Sequence, residues 1–263
     1  MTTMLLAALV TAACCLDEGF AQMYNLDFPA AHRTFADWMK THPEDPMGPA
    51  ADAAAYLFAE FDRLRILQSE FFLDDDRFRG ARRLAPDPAV QKAFEGRLLK
   101  ADELAARALA KIPGDTNAMF AGVLVLGLRA DYQGLIEKRY LASLATTRTG
   151  RAAAERLLAA DPQFHDAWLA IGVENYLFSL KPLPLRWLLQ LAGNATDREL
   201  GLKQLRITAE KGRYFKPFAE LLMAVAALRA NDAAGAKVIL RSLRDRFPRN
   251  RLYAEELARL ENR

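Results

Sequence analysis

Along most of this chain apolar residues recur three and four positions apart with charged residues between them, which lines one face of a helix. No convincing period-two run marks a strand. The clearest stretch, FAELLMAVAALRANDAAGAKVILRSLRDRFP over 218–248, reads as a helix, an Asn-Asp turn and a second helix. Long helices are predicted over 48–72 and 89–111, with short loops at 43–48, 85–88, 113–116, 193–196 and 230–233. Four prolines, Pro43, Pro113, Pro162 and Pro248, each follow an amphipathic run. Proline there stops a helix because it has no N–H to continue the ladder.

Twelve residues before these prolines stand Ala31, Ala101, Gly150 and Ala236, small enough for two helices to approach closely. After Pro162, Trp168 and Gly172 share a helix face; Ala31 and Phe35 precede Pro43, with Gly19 upstream. Aromatic and Gly on one helix, then Ala and aromatic on the next, resemble the tetratricopeptide pattern of ~34 residues. The spacing is irregular, so extra or longer helices must intervene. The predicted fold is all-α: a tetratricopeptide-like helical-repeat superhelix (an α-solenoid) with irregular insertions, in one domain over 16–263.

Composition supports helices, since Ala and Leu dominate and Val and Ile are few. A net charge of +3, with both signs interspersed, leaves no footprint for nucleic acid. Cys14 and Cys15 are adjacent, a poor geometry for a disulfide. Residues 1–15 admit two readings. The apolar MLLAALVTAACC resembles a signal segment with a lipoprotein cleavage box, which would make Cys14 the acylated residue and the cell envelope or periplasm the location. No Lys or Arg precedes it, and the alternative is a buried first helix in a cytoplasmic protein.

Chemistry is sparse. His32, His42 and His165 lack metal-site spacing, and no nucleotide loop, serine elbow or HExxH motif appears, so no cofactor, metal or catalytic residue is expected. DDDRFRGARR over 74–83 reads as acids at a helix start and bases further along. Glu60 and Asp62 are two apart and do not face one another, and Arg63 and Arg65 beside them are expected to pair with surface acids.

The unusual stretch is ENYLFSLKPLPLRWLLQLAGNATDRELG, residues 174–201. It reads either as an apolar plug that fills the superhelix, with Leu185, Trp187, Leu188 and Leu191 as core, or as a docking or membrane-facing element. Its Ser179, Leu180, Pro182, Gly193, Asp197, Arg198, Glu199, Gly201, Leu202 and Leu205 resemble a segment of the tetratricopeptide repeat protein 39 family, which includes the fungal inclusion-body clearance proteins. The resemblance is close over about thirty residues and implies a scaffold acting through protein contacts, with no catalytic residues. The expected function is a non-catalytic scaffold holding a peptide or helix in a concave groove, with Asn175, Tyr176, Lys181, Arg186 and Trp187 as candidate contacts. The alternative is a membrane-peripheral or lipid-binding protein using 176–193. Membrane contact is otherwise expected only through a lipid on Cys14.

Overall fold

The computed structural model describes residues 14–67, 85–180 and 197–262. Among them there is no strand, and eleven α-helices follow one another. They are α1 (Cys14–Tyr24), α2 (Phe28–Thr41), α3 (Met47–Arg63), α4 (Pro88–Lys111), α5 (Thr116–Asp131), α6 (Tyr140–Ala160), α7 (Trp168–Ser179), α8 (Arg198–Lys211), α9 (Lys216–Arg229), α10 (Ala233–Arg246) and α11 (Arg251–Glu261). A π-helical turn, Tyr132–Ile136, extends α5, and a short 3-10 turn, His165–Ala167, leads into α7.

Short polar side chains start these helices. Asp27, Asp87, Asp115, Asp197 and Asp232 accept a hydrogen bond from a backbone N–H in the first turn of α2, α4, α5, α8 and α10. Asn250 does the same for α11. The four marker prolines stand two residues beyond the ends of α2, α4, α6 and α10. The Asn-Asp turn also forms as expected: Asn231 takes a left-handed backbone (φ 60°) and Asp232 caps α10.

One helix is shorter than its pattern predicts. Instead of running from 48 to 72, α3 ends at Arg63. Arg65 turns left-handed (φ 58°), and the Ile66 N–H reaches back to the Phe61 carbonyl at 2.8 Å, a Schellman-type closure. The apolar spacing continues past this point, but Ile66 is buried from the turn, so periodicity alone misses the stop.

Each helix packs on the next, and α3 also packs on α1 and α5. The small residues sit at these contacts: Ala31, Ala101, Gly150 and Ala236 are all buried. Between α7 and α8 the backbones nearly touch, since a Cβ on Gly201 would lie 2.5 Å from the Tyr176 nitrogen and one on Gly172 2.9 Å from the Leu205 nitrogen. Phe20, Phe35, Phe120, Tyr214 and Phe215 form an aromatic knot joining α1, α2, α5 and the start of α9. Each such pair contributes about 0.5–1.5 kcal/mol beyond the burial itself.

The last helices return to the first. Tyr24 donates its hydroxyl to the Tyr214 carbonyl (3.0 Å), and Asn250 donates Nδ2 to the Tyr24 carbonyl (2.8 Å). Phe58 of α3 meets Phe218 of α9 edge-on at 5.6 Å, and Arg213 pairs with Asp17 at 2.8 Å. Residues 213–218 of the same chain thus reach the inner faces of α1, α3 and α5.

Candidate functional site

Where the inner faces meet they leave an apolar cavity of about 230 Å³, walled by α3, α5, α6, α7 and α9. Phe58, Leu124, Leu128, Val173 and Phe218 are typical of its lining. A neighbouring cavity of about 210 Å³ lies toward α10 and α11 and shares Phe58, Leu67, Phe218, Leu221 and Val225 with it. Gly127 also lines the larger cavity, and a Cβ there would meet nothing within 4 Å.

Among the described residues, Asp131, Thr147, Asp166, Tyr176 and Arg229 are the polar ones that reach the larger cavity. Thr147 spends its hydroxyl on the Ser143 carbonyl (2.8 Å). Asp166 is buried and accepts the backbone N–H groups of Arg213 (2.9 Å), Tyr214 (3.3 Å) and Phe215 (2.8 Å). That carboxylate fixes the turn that starts α9, although burial raises its pKa against those hydrogen bonds. Tyr176 is 1% exposed, its hydroxyl has no hydrogen-bond partner, and burial raises its pKa while Arg229 lowers it.

Asp131 is different. No donor among the described residues pairs with it, and burial alone pushes its carboxyl up to about 7. It lies deep in the fold yet keeps partial exposure, because it lines the cavity. It sits where α5 widens into the π turn, closed by the Glu137 N–H on the Tyr132 carbonyl (3.1 Å). Ser143 of α6 donates its hydroxyl to the Ala130 carbonyl (2.9 Å), so the widened helix gains an outside donor. Single π turns inside α-helices occur frequently at functional sites, and a cleft carboxyl with a strongly raised pKa is a functional-site candidate.

The expected site residues fall differently. Asn175 is 1% exposed and donates Nδ2 to Gln204 Oε1 (2.8 Å), tying α7 to α8. Neither Asn175 nor Tyr176 meets a partner at the surface; the helical spacing that put them near the insertion turned them inward, where Tyr176 walls the cavity. Lys181, Arg186 and Trp187 lie outside the described residues, as do 1–13, 74–83 and the proposed plug. Cys14 is the first residue of α1.

The other carboxylates of the sequence analysis are structural. Glu60 is buried rather than at the surface, held by Arg63 (2.6 Å) and the Asp87 N–H (2.9 Å). Asp62 pairs with Arg251 at 2.7 Å. His32 contacts Asp52 at 2.6 Å, and Arg97 donates to the other Asp52 oxygen at 2.6 Å, so this triad ties α2, α3 and α4 together. Among the described residues no group of three or more His, Cys, Asp or Glu is placed to hold a metal. The span Thr116–Ile136 is long and apolar enough to cross a membrane, and here it is the central, largely buried helix.

Sequence reasoning missed Asp131. Its signal was an acid closing the apolar run MFAGVLVLGLRA, followed by Tyr-Gln-Gly. Compared with known proteins, the chain matches no family model and no curated protein.

Proposed function

We propose that this chain is a non-catalytic helical-repeat protein, of the tetratricopeptide kind, that holds a small, largely apolar molecule in the cavity between α3, α5, α6, α7 and α9. The observation that carries this reading is the cavity itself: about 230 Å³, apolar, with one unpartnered carboxyl on its wall. Ligand sites are concave and mostly apolar with few placed polar groups. The repeat reading rests on consecutive helix packing and the buried small residues before the marker prolines. The non-catalytic reading rests on Asp52, Glu60 and Asp166 being engaged by donors that hold helices together. Titration of the whole chain with 1-octanol, beside a Gly127→Leu variant, tests the cavity. Saturable binding lost in the variant supports it, and absence of binding to the wild type overturns it.

A second reading is the protein-binding scaffold, a member of or relative to the tetratricopeptide repeat protein 39 family. The Asp-Arg-Glu-x-Gly-Leu-x-x-Leu part of that resemblance forms α8, capped by Asp197, with Gly201 at the α7 contact. One surface for a partner is the apolar exposure at Leu99 and Leu141, which are exposed by 66% and 85%. Loss of a defined partner on Leu99→Glu and Leu141→Glu substitution supports this reading; retention in both removes that surface. Envelope location through a lipid on Cys14 belongs to either reading, and mass analysis of the N-terminus of the native protein decides it.

A further inference from the structure

The buried acids among the described residues each face a donor, Glu174 lying 3.9 Å from Arg151, whereas Asp131, half-buried on the cavity wall, does not. Asp52 is met by His32 and Arg97, Glu60 by Arg63 and a backbone N–H, and Asp166 by three backbone N–H groups. Buried charges are ordinarily paired in this way because an unpaired one in a low-dielectric interior is costly. Among the described residues Asp131 has no donor, although Arg129 is only two residues away and is instead turned to Asp102 at 2.9 Å. The residues that could relieve it look elsewhere: Thr147 donates to a carbonyl, and Arg229 comes from the far end of α9, beside Tyr176. Asp131 thus lines the largely apolar cavity with no donor among the described residues.

We propose that the molecule held in this cavity is an apolar amine, whose ammonium pairs with the Asp131 carboxylate while its hydrocarbon lies among Phe58, Leu124, Leu128, Val173 and Phe218. The inference rests on the cavity being the binding site. An ammonium supplies a charged donor to the Asp131 carboxylate, and charge-assisted hydrogen bonds are about twice as strong as neutral ones. An anion would sit against the carboxylate. A divalent cation would need several oxygen ligands, whereas of the two carboxylates on the described wall Asp166 is already held by three backbone N–H groups. The size is also constrained. A ~150 Å³ apolar cavity takes benzene, so this one takes a molecule of roughly nine heavy atoms. A linear alkyl or aralkyl amine of that size fits, and like a lysine side chain it stays protonated through neutral pH.

The experiment is calorimetric titration of the full chain at pH 8 with n-octylamine, 1-octanol and octanoate, for the wild type, Asp131→Asn and Gly127→Leu, with circular dichroism checking that each variant is folded. The expected result is n-octylamine binding the wild type about tenfold tighter than 1-octanol. Asp131→Asn should erase that preference while still binding 1-octanol, and Gly127→Leu should weaken both. Equal affinity for amine and alcohol in the wild type, tightest binding of octanoate, or an amine preference that survives Asp131→Asn overturns the amine while the cavity reading stands. No binding of any of the three to the wild type overturns the cavity reading itself.

Discussion

Gly19 on α1 lies so close to the ring of Phe35 on α2 that a Cβ would stand 2.3 Å from Phe35 Cε1. Phe35 is fully buried and lies edge-on to Phe20 at 5.6 Å, so the ring cannot retreat without disturbing the aromatic knot. Gly19→Ala should therefore destabilise the protein by about 1–3 kcal/mol despite the better helix propensity of Ala. Urea unfolding of the two proteins measures it, and an unchanged midpoint would show that Phe35 has room to move.

Asp131 makes stability depend on pH with a definite sign. Its carboxyl rises from the ordinary 3.8 to about 7 in the folded state. The folded chain then holds a proton that the unfolded chain has released across that window, so this group's contribution falls as pH rises through it. Around it, Arg129 is paired with Asp102, Asp166 is bonded to backbone, Arg229 lines the same cavity, and Glu137 and Lys138 follow the π turn. Asp131→Asn should gain about 2–4 kcal/mol over the wild type at pH 8 and little at pH 4. Thermal melts at both pH values decide it; equal gains would mean the carboxyl does not titrate in this range.

Asp166 should be among the most costly side chains to lose. Asp166→Ala leaves the N–H groups of Arg213, Tyr214 and Phe215, the last two buried, without this acceptor. The expected cost is about 2–4 kcal/mol. Hydrogen exchange should show early loss of protection at residues 213–215 and the first turn of α9; a uniform loss across the chain would argue against a local clamp.

Tyr24→Phe removes one hydrogen bond, to the Tyr214 carbonyl, and keeps the ring against Phe247. A loss of about 1 kcal/mol is expected by chemical denaturation. A loss several times larger would mean that the hydroxyl organises more than its own contact.

Gly127→Ala should stabilise by about 0.5–1 kcal/mol, because the position is helical and a methyl meets nothing within 4 Å. A lower melting temperature in a thermal scan would contradict the open space described there.

Much of the helical architecture was legible along the chain because its signals are local. Helix stops at Pro43, Pro113, Pro162 and Pro248, the Asn231-Asp232 turn and the Gly19–Phe35 match depend on residues within a few turns of one another. The early end of α3 was not legible, since Arg65 carries no glycine to announce a left-handed backbone. Nor was the cavity, whose walls come from residues more than a hundred positions apart, such as Phe58 and Val225. Asn175 and Tyr176 show the same limit from the other side. Their sequence neighbourhood is unusual, yet which way they point is set by Gly201 and Gln204 on α8.

The contact between α1 and the segment from Arg213 to Asn250 has one more consequence. A stack of repeats with free ends resembles a row of books: a volume can be added or removed, and each is steadied only by its neighbours. Here the Tyr24 carbonyl and hydroxyl bind the last helices to the first. Inserting or deleting a single unit between them would therefore strain a joint far from the edit.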